Sequence, residues 1–250
     1  MATLPEPYLR TELGELYAGD AWEILPRLPA RSYHLVILDP PYVEIRDDRP
    51  IGEIPPLRWG RFFASLSRLL APSGLVLMFC FSSFLLTAAE HIRRHFRVVF
   101  DMVWEEPAPV NFLKATRQPL NRHEWIVALL RDGDRASFTY NFREVGTIGE
   151  PYTSSRGGYS RFGQCEKRAG SYGPFRYPTT ILRYPNKPLM SEDERTDHPT
   201  QKPLALISWL IRAFTNRGDR VLDPFLGSGT TAVACEILGR RWTAIELDAA

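Results

Sequence analysis

Cysteine is scarce in this sequence: three residues in 250, Cys80, Cys165 and Cys235, odd in number and far apart. That spacing excludes a disulfide framework and a cysteine-based zinc site, and it suits a reducing cytoplasm. Long apolar runs are missing too. The longest, such as Gly74 to Phe81, fall far short of the roughly 20 residues of a membrane span, so no membrane partner is expected. Met1 to Arg10 carries two prolines and two charges and has no signal-peptide core. No repeat and no low-complexity tract appears. What remains is ordinary globular material, 44% apolar and 24% charged, long enough to bury a sizeable core as one domain with a smaller lobe inserted.

A charge excess of one sign is also lacking overall, since 31 Lys/Arg face 29 Asp/Glu for a net +2. The distribution is uneven, however. Between Phe112 and Lys187 there are 13 Lys/Arg against 6 Asp/Glu, a local +7 that leaves −5 elsewhere. The same stretch holds 12 of the 30 aromatic residues. Basic, aromatic and glycine-rich sequence suits phosphate contacts and base stacking. By composition alone, a solvated surface lobe with ordinary ion pairs accounts for it equally well.

Along the chain, short apolar runs alternate with helical patterns. Leu16–Ala18, Leu35–Leu38, Leu75–Phe79, Phe96–Trp104 and Trp125–Leu130 read as strands, the last opened by His123-Glu124. Trp59 to Leu70 spaces Phe62, Phe63, Leu66, Leu69 and Leu70 at helical intervals, and Pro72-Ser73-Gly74 breaks that helix. Ser82 or Ser83 is the expected cap of a helix running to about His95. The pattern dissolves from Arg131 to Lys187 and resumes after His198. There Pro203–Phe214 and Thr230–Leu238 read as helices, and Arg220–Leu222 and Trp242–Ile245 as strands. Such alternation predicts an α/β domain with a mostly parallel sheet, built from residues 1–130 and 188–250 around an insert at 131–187.

Two motifs carry chemistry. Asp223-Pro224-Phe225-Leu226-Gly227-Ser228-Gly229-Thr230-Thr231 follows a strand and opens a helix. Its glycines let a ligand approach the backbone, and the helix start presents unpaired N–H groups. No Lys follows the second glycine, as a triphosphate loop requires, and the third glycine of a dinucleotide fingerprint is absent. Asp223 at the strand end fits a ligand bearing an ammonium group, such as the methionine part of S-adenosylmethionine. Glu246, ending the next strand, is placed to bond ribose hydroxyls.

The second motif is Asp39-Pro40-Pro41-Tyr42, delivered by Leu35–Leu38 to the carboxyl end of a strand. Methylating an aromatic amine requires drawing the nitrogen lone pair out of the ring. Two acceptors close to the two N–H protons do this: the Asp39 carboxylate, and the Pro40 carbonyl held rigid by Pro41. Tyr42 offers a face on which an extruded base can stack. The plain alternative is a surface turn.

Together these pieces resemble the amino-group DNA methyltransferases of bacteria and phages, in the permuted arrangement called the β class. There the Asp-Pro-Pro-Tyr motif comes first, the target-recognition region next and the glycine motif last, which is the order found here. Gly19-Asp20 resembles the segment near the cofactor adenine. His198-Pro199-Thr200-Gln201-Lys202-Pro203 resembles the segment contacting the methionine end, and Glu246-Leu247-Asp248 completes the set.

The resemblance implies a circularly permuted, Rossmann-like S-adenosylmethionine-dependent methyltransferase fold with an inserted target-recognition lobe. The implied catalytic residues are Asp39, Pro40, Pro41 and Tyr42. Cofactor contacts are implied for Gly19, Asp20, His198, Thr200, Gln201, Lys202, Asp223, Phe225, Gly227, Ser228, Gly229, Thr230 and Glu246. Arg156, Arg161, Lys167, Arg168 and Arg176 are the phosphate-contact candidates in the insert. Double-stranded DNA is the implied substrate, with a flipped base and no metal. A homodimer and a partner restriction endonuclease are further implied associations, in a cytoplasmic, nucleoid-associated, bacterial or phage setting.

Asp rather than Ser at the first tetrad position favours N6 of adenine over N4 of cytosine. A catalytically weak or inactive DNA-binding module of the same fold is the alternative of another class, and an RNA or protein-glutamine amine is a third target. One departure concerns the end of the chain, where the family continues into another helix and this sequence stops at Ala250. Either that helix is missing or Met1–Leu13 takes part of its place. Trp104 and Trp125 could each stack a base, with core or interface packing the expected fate, and His123-Glu124 resembles a structural turn of the family pattern and is given no chemical role.

Overall fold

The computed structural model of the chain describes residues 3–41, 45–46, 49–50, 56–110, 112–134, 137–154, 159–160, 163–164, 170–198 and 200–248. Two compact units are present: Met1–Tyr140 with Thr180–Ala250, and Asn141–Thr179.

The larger unit is built on nine strands: β1 (Leu9–Arg10), β2 (Gly14–Ala18), β3 (Tyr33–Leu38), β4 (Leu70–Cys80), β5 (Phe96–Val110), β6 (Asn121–Arg131), β7 (Ile181–Arg183), β8 (Arg220–Asp223) and β9 (Arg241–Glu246). They lie in the order β1-β2-β9-β8-β3-β4-β6-β5-β7. From β2 to β4 all neighbours are parallel, whereas β6 runs antiparallel to both β4 and β5. The central strands read as unbroken apolar runs because both their faces are covered. Leu35, Val36, Ile37 and Leu38 of β3 are buried, as are Val221 and Leu222 of β8.

Among the described residues, the unit also holds five α-helices: α1 (Ala21–Ile24), α2 (Pro56–Leu69), α3 (Ser82–Arg93), α4 (Leu204–Phe214) and α5 (Thr230–Leu238). On α2 the buried residues Trp59, Phe62, Phe63, Leu66 and Leu69 recur at helical spacing and form one stripe. Each such side chain contributes about 1.5–3 kcal/mol when fully removed from water. Phe62 stacks on Phe225 at 5.4 Å, and Trp22 lies 5.5 Å from the same ring. The apolar stripe of α2 thereby anchors the glycine-rich turn that follows β8.

Several local expectations are corrected. Pro72-Ser73-Gly74 does not separate helix from strand, because β4 already begins at Leu70 and absorbs the three residues at a shift in its register with β3. Ser73 adopts φ 62°, and a Cβ at Gly74 would meet the Tyr33 carbonyl at 2.8 Å, so the breaker residues serve an irregular strand. Helix α3 is capped by the Phe81 backbone with no side-chain bond, leaving Ser82 and Ser83 inside its first turn. Strand β5 continues past Trp104 to Val110 through Pro107 and Pro109, with an irregular register between Glu105 and Val110. His123 and Glu124 are not a turn; they pair with Glu105 and Trp104 within the β5–β6 ladder.

The smaller unit contains a one-turn helix, Phe142–Val145, and short antiparallel pairings such as Tyr152–Ser154 with Gly170–Tyr172. Aromatic contacts recur within it, including Tyr152 on Tyr172 at 4.9 Å and Phe142 on Tyr177 at 5.4 Å. Strand β7, and Arg131 at the end of β6, belong to the larger unit, so the smaller one is narrower than the 131–187 segment.

Candidate active site

From β3 the chain crosses through α2 to β4 on one side, while from β8 it crosses through α5 to β9 on the other. The connections diverge there, and such a reversal opens a crevice beyond the carboxyl ends of the two strands. Asp39 follows β3 and Asp223 ends β8. Both face a cavity of about 1080 Å³ that is also lined by Gly19, Glu124, Lys202, Gly227 and Glu246.

On the β8 side, the glycine turn is held from three directions. The Gly227 N–H donates to Glu246 Oε2 at 2.7 Å, Leu226 N–H donates to the Ile245 carbonyl, and Phe225 is stacked on α2. Gly227 has φ 55° and a Cβ there would press on the His198 ring at 3.0 Å, so glycine is needed for both torsion and space. Gly229, at φ 86°, is the residue from which α5 starts; it is absent from the cavity lining. Ser228 and Thr230 share a hydroxyl bond of 3.0 Å. Asp223 accepts from the Phe225 N–H at 3.0 Å. Burial pushes its carboxyl up to about 7, against the hydrogen bonds from Thr231 and Phe225 that pull it down.

At the neighbouring strand end, the Gly19 N–H donates to the Glu246 carbonyl at 2.9 Å, and the Asp20 carboxylate caps α1 by accepting from Trp22 N–H at 2.8 Å. The segment before α4 is tied internally. Gln201, buried, donates to the Glu194 carbonyl and accepts from Thr196, while Lys187 donates to the His198 carbonyl at 2.6 Å. Thr200 is exposed but lines the cavity. Among the described residues, the buried Nδ1 of His198 has no hydrogen-bond partner.

On the β3 side, Lys202 Nζ donates to Asp39 Oδ2 at 2.6 Å and lies 3.3 Å from Glu124 Oε2. The ammonium also sits 5.0 Å from the Phe79 ring and 5.9 Å from the Trp104 ring. Burial disfavours it, yet the Asp39 and Glu124 carboxylates outweigh that penalty and hold Lys202 above its ordinary value. Glu124 is pushed up, by burial first and then by Asp39 and Glu106, although Lys202 opposes the shift. Glu106, also raised by burial, accepts from Asn186 Nδ2 at 2.9 Å. Pro40 and Pro41 line the same cavity.

The structure thus brings together Asp39, Pro40 and Pro41 with Gly19, Asp20, His198, Thr200, Gln201, Lys202, Asp223, Phe225, Gly227, Ser228, Thr230 and Glu246 around one cavity. Tyr42, Arg156, Arg161, Lys167 and Arg168 lie outside the described residues. Arg176 donates to the carbonyls of Gly173 and Glu150 and rests 4.6 Å over the Tyr152 ring, within the smaller unit. Trp104 is buried, as expected, but also borders the cavity while its Nε1 donates to the Tyr184 carbonyl. Sequence reasoning missed Glu124, Glu106 and Asn186. The available signal was slight: each acid lies in a polar stretch at the end of an apolar strand run. Among the described residues, no helix is long and apolar enough to cross a membrane, and no group of three or more metal-ligating side chains occurs.

Known proteins share the family signature and the fold. A family model of N6/N4 type, described as DNA methylase, matches residues 33–250. The DNA adenine methyltransferase YhdJ of Escherichia coli strain K12 is 27% identical over 237 residues, covering 92% of this chain and 77% of that protein. The crystal structure of the M1.HpyAVI–SAM complex superposes with a TM-score of 0.63 at 25% identity, covering 95% of this chain and 94% of that one. The cytosine-N4-specific PvuII DNA methyltransferase shares the fold, with a TM-score of 0.68 at 17% identity over 97% of this chain and 84% of that one. The family match begins at β3 and takes in both strand ends that face the cavity, and on it the chain belongs to the N6/N4 family of DNA methylases.

Proposed function

We propose that this chain transfers a methyl group from S-adenosylmethionine to the N6 amine of adenine, extruded from duplex DNA at a short specific sequence. The observation that carries the reading is the convergence of Asp39-Pro40-Pro41 and the glycine turn on one cavity from adjacent strand ends. The residues present suit the cofactor. Asp223 offers a buried carboxyl to an ammonium group, Glu246 a carboxylate to ribose hydroxyls, and Gly227 a surface without a Cβ. His198, Thr200, Ser228 and Thr230 border the methionine end of that site in this reading, and Gly19 and Asp20 the adenine end. Gln201 keeps the segment in shape through its bonds to Glu194 and Thr196. When bound, the cofactor supplies an electrophilic methyl on a sulfonium.

The chain's own contribution is alignment and proton acceptance. The Asp39 carboxylate and the Pro40 carbonyl accept from the two N–H groups of the target amine and draw its lone pair out of the ring. Tyr42 stacks the extruded base. Extrusion costs a few kcal/mol, offset by the cavity and by phosphate contacts from the basic segment, with Arg156, Arg161, Lys167, Arg168 and Arg176 as candidates. Adenine is favoured by Asp39 at the first tetrad position and by the named activity of the Escherichia coli relative. Incubation with mixed DNA, digestion to nucleosides and mass identification of the product tests this. N6-methyladenine is the expected product; N4-methylcytosine would overturn the base assignment, and no methylated base would overturn the activity.

A further inference from the structure

The cavity wall beside Asp39 contains more charge than two amine acceptors require. Lys202 reaches Asp39 Oδ2 at 2.6 Å from a segment 163 residues away in sequence, and Glu124 lies 3.3 Å from the same ammonium. The Lys202 and Glu124 side chains are 12% and 5% exposed. Phe79 and Trp104 enclose the ammonium, and all five residues line the cavity. Glu106 is close by but tied to Asn186, so Lys202 serves chiefly Asp39 and Glu124.

The arithmetic of charge matters here. An Asp39–Lys202 pair alone would be neutral, and the ammonium would consume much of the acceptor strength of Asp39. Among the described side chains, Glu124 shares that ammonium, so Lys202 is divided between two carboxylates. In methyl transfer the amine lone pair forms the new N–C bond, and the electrons of the breaking C–S bond stay on sulfur. Positive charge therefore arrives at the amine nitrogen, and one N–H proton leaves it through the Asp39 carboxylate to solvent. A carboxylate held in place beside the amine favours that redistribution.

We propose that Glu124 is a positioning residue for methyl transfer: by sharing the Lys202 ammonium it keeps Asp39 an effective acceptor for the target amine. The inference rests on the methyltransferase reading above. Among the described residues, the titratable groups facing Glu124 include Lys202, Asp39, Glu106 and the Cys80 thiol.

The test compares the unaltered chain with Glu124→Gln and Glu124→Asp in single-turnover methyl transfer at saturating cofactor, from pH 5.5 to 8.5. Cofactor affinity by calorimetry, DNA affinity and thermal midpoint accompany each variant. The expected result for Glu124→Gln is cofactor and DNA affinities within about threefold of the unaltered chain and a transfer rate at least tenfold lower. Its pH–rate profile should also lack the fall on the acid side that protonation of Glu124 gives the unaltered chain. Glu124→Asp, which keeps the charge, should recover part of the rate. A Glu124→Gln rate within about threefold of the original with a superimposable pH profile overturns the proposal. So does a rate loss that is matched by lost cofactor affinity or that Glu124→Asp shares in full. Failure of the unaltered chain to methylate any DNA overturns the functional reading instead, and is distinguished by that control.

Discussion

Replacing Asp223 by asparagine keeps the size of the side chain and its acceptor for the Phe225 N–H, and removes only the ionisable group. In the cofactor-free chain, burial pushes this carboxyl up to about 7. An α-ammonium stays protonated below about 7.7, so Asp223 is the member of the expected pair that titrates between pH 5.5 and 7. At pH 5.5 only about one molecule in thirty carries the charged form, and cofactor affinity should be weaker there than its plateau by a similar factor. The asparagine variant should lose this pH dependence. At pH 7.5 its dissociation constant should rise by roughly 10- to 100-fold, the equivalent of a charge-assisted hydrogen bond of about 1.5–3 kcal/mol.

Stability should move the other way. Because the folded state holds a proton where an unfolded Asp of ordinary value 3.8 does not, Asp223 lowers stability as pH rises from about 4 to 7. The full shift corresponds to roughly 4 kcal/mol, an upper bound for what asparagine relieves above neutrality. Calorimetric titration with S-adenosylmethionine and thermal unfolding, each across pH 5.5–8, give the two readouts. An asparagine variant that binds as tightly as the original, or that keeps the acid weakening, would refute the pairing of Asp223 with the ammonium.

Asp39→Ala should abolish methyl transfer while cofactor affinity falls by less than about threefold, as followed by incorporation of labelled methyl and by calorimetry. Gly227→Ala, strained at φ 55° and pressed against His198 at 3.0 Å, should cost about 1–3 kcal/mol and weaken cofactor binding, visible as a lowered thermal midpoint and a raised dissociation constant. Asn186→Ala leaves the Glu106 carboxylate without its donor and should destabilise the fold by about 1–3 kcal/mol, measurable by denaturant unfolding. Neutralising Arg156 and Arg161 together should reduce the slope of log affinity against log salt by about 1.8; an unchanged slope in DNA titrations would remove both from the interface.

Much of the candidate site's framework was legible locally. A buried parallel strand is an apolar run that stops where the chain turns polar, and Leu35–Leu38 followed by Asp39 has that form, as does Val221–Leu222 followed by Asp223. Gly227 is demanded by a positive φ and by the approach of His198, and a glycine at such a turn is visible without coordinates. Irregular strands were less legible. Pro72-Ser73-Gly74 and Pro107 to Pro109 carry the residues of breaks, yet flanking ladders pull both stretches into strands, because tertiary pairing outweighs local preference.

The sequence by itself determined which strand ends carry an acid and which turn can cradle a ligand, since these follow from short-range sterics and apolar patterning. Only the tertiary structure decided what surrounds those acids. The charge state of Asp223 depends on how completely the sheet and α5 bury it, and the company of Asp39 on an ammonium from Lys202 and a carboxylate from Glu124, one antiparallel strand beyond β4. His123-Glu124 read as a turn only by likeness to the family pattern. Their place in the β5–β6 ladder, with Glu124 turned towards Lys202, is set by the pairing of distant strands, and burial of that kind is a property of the packed molecule.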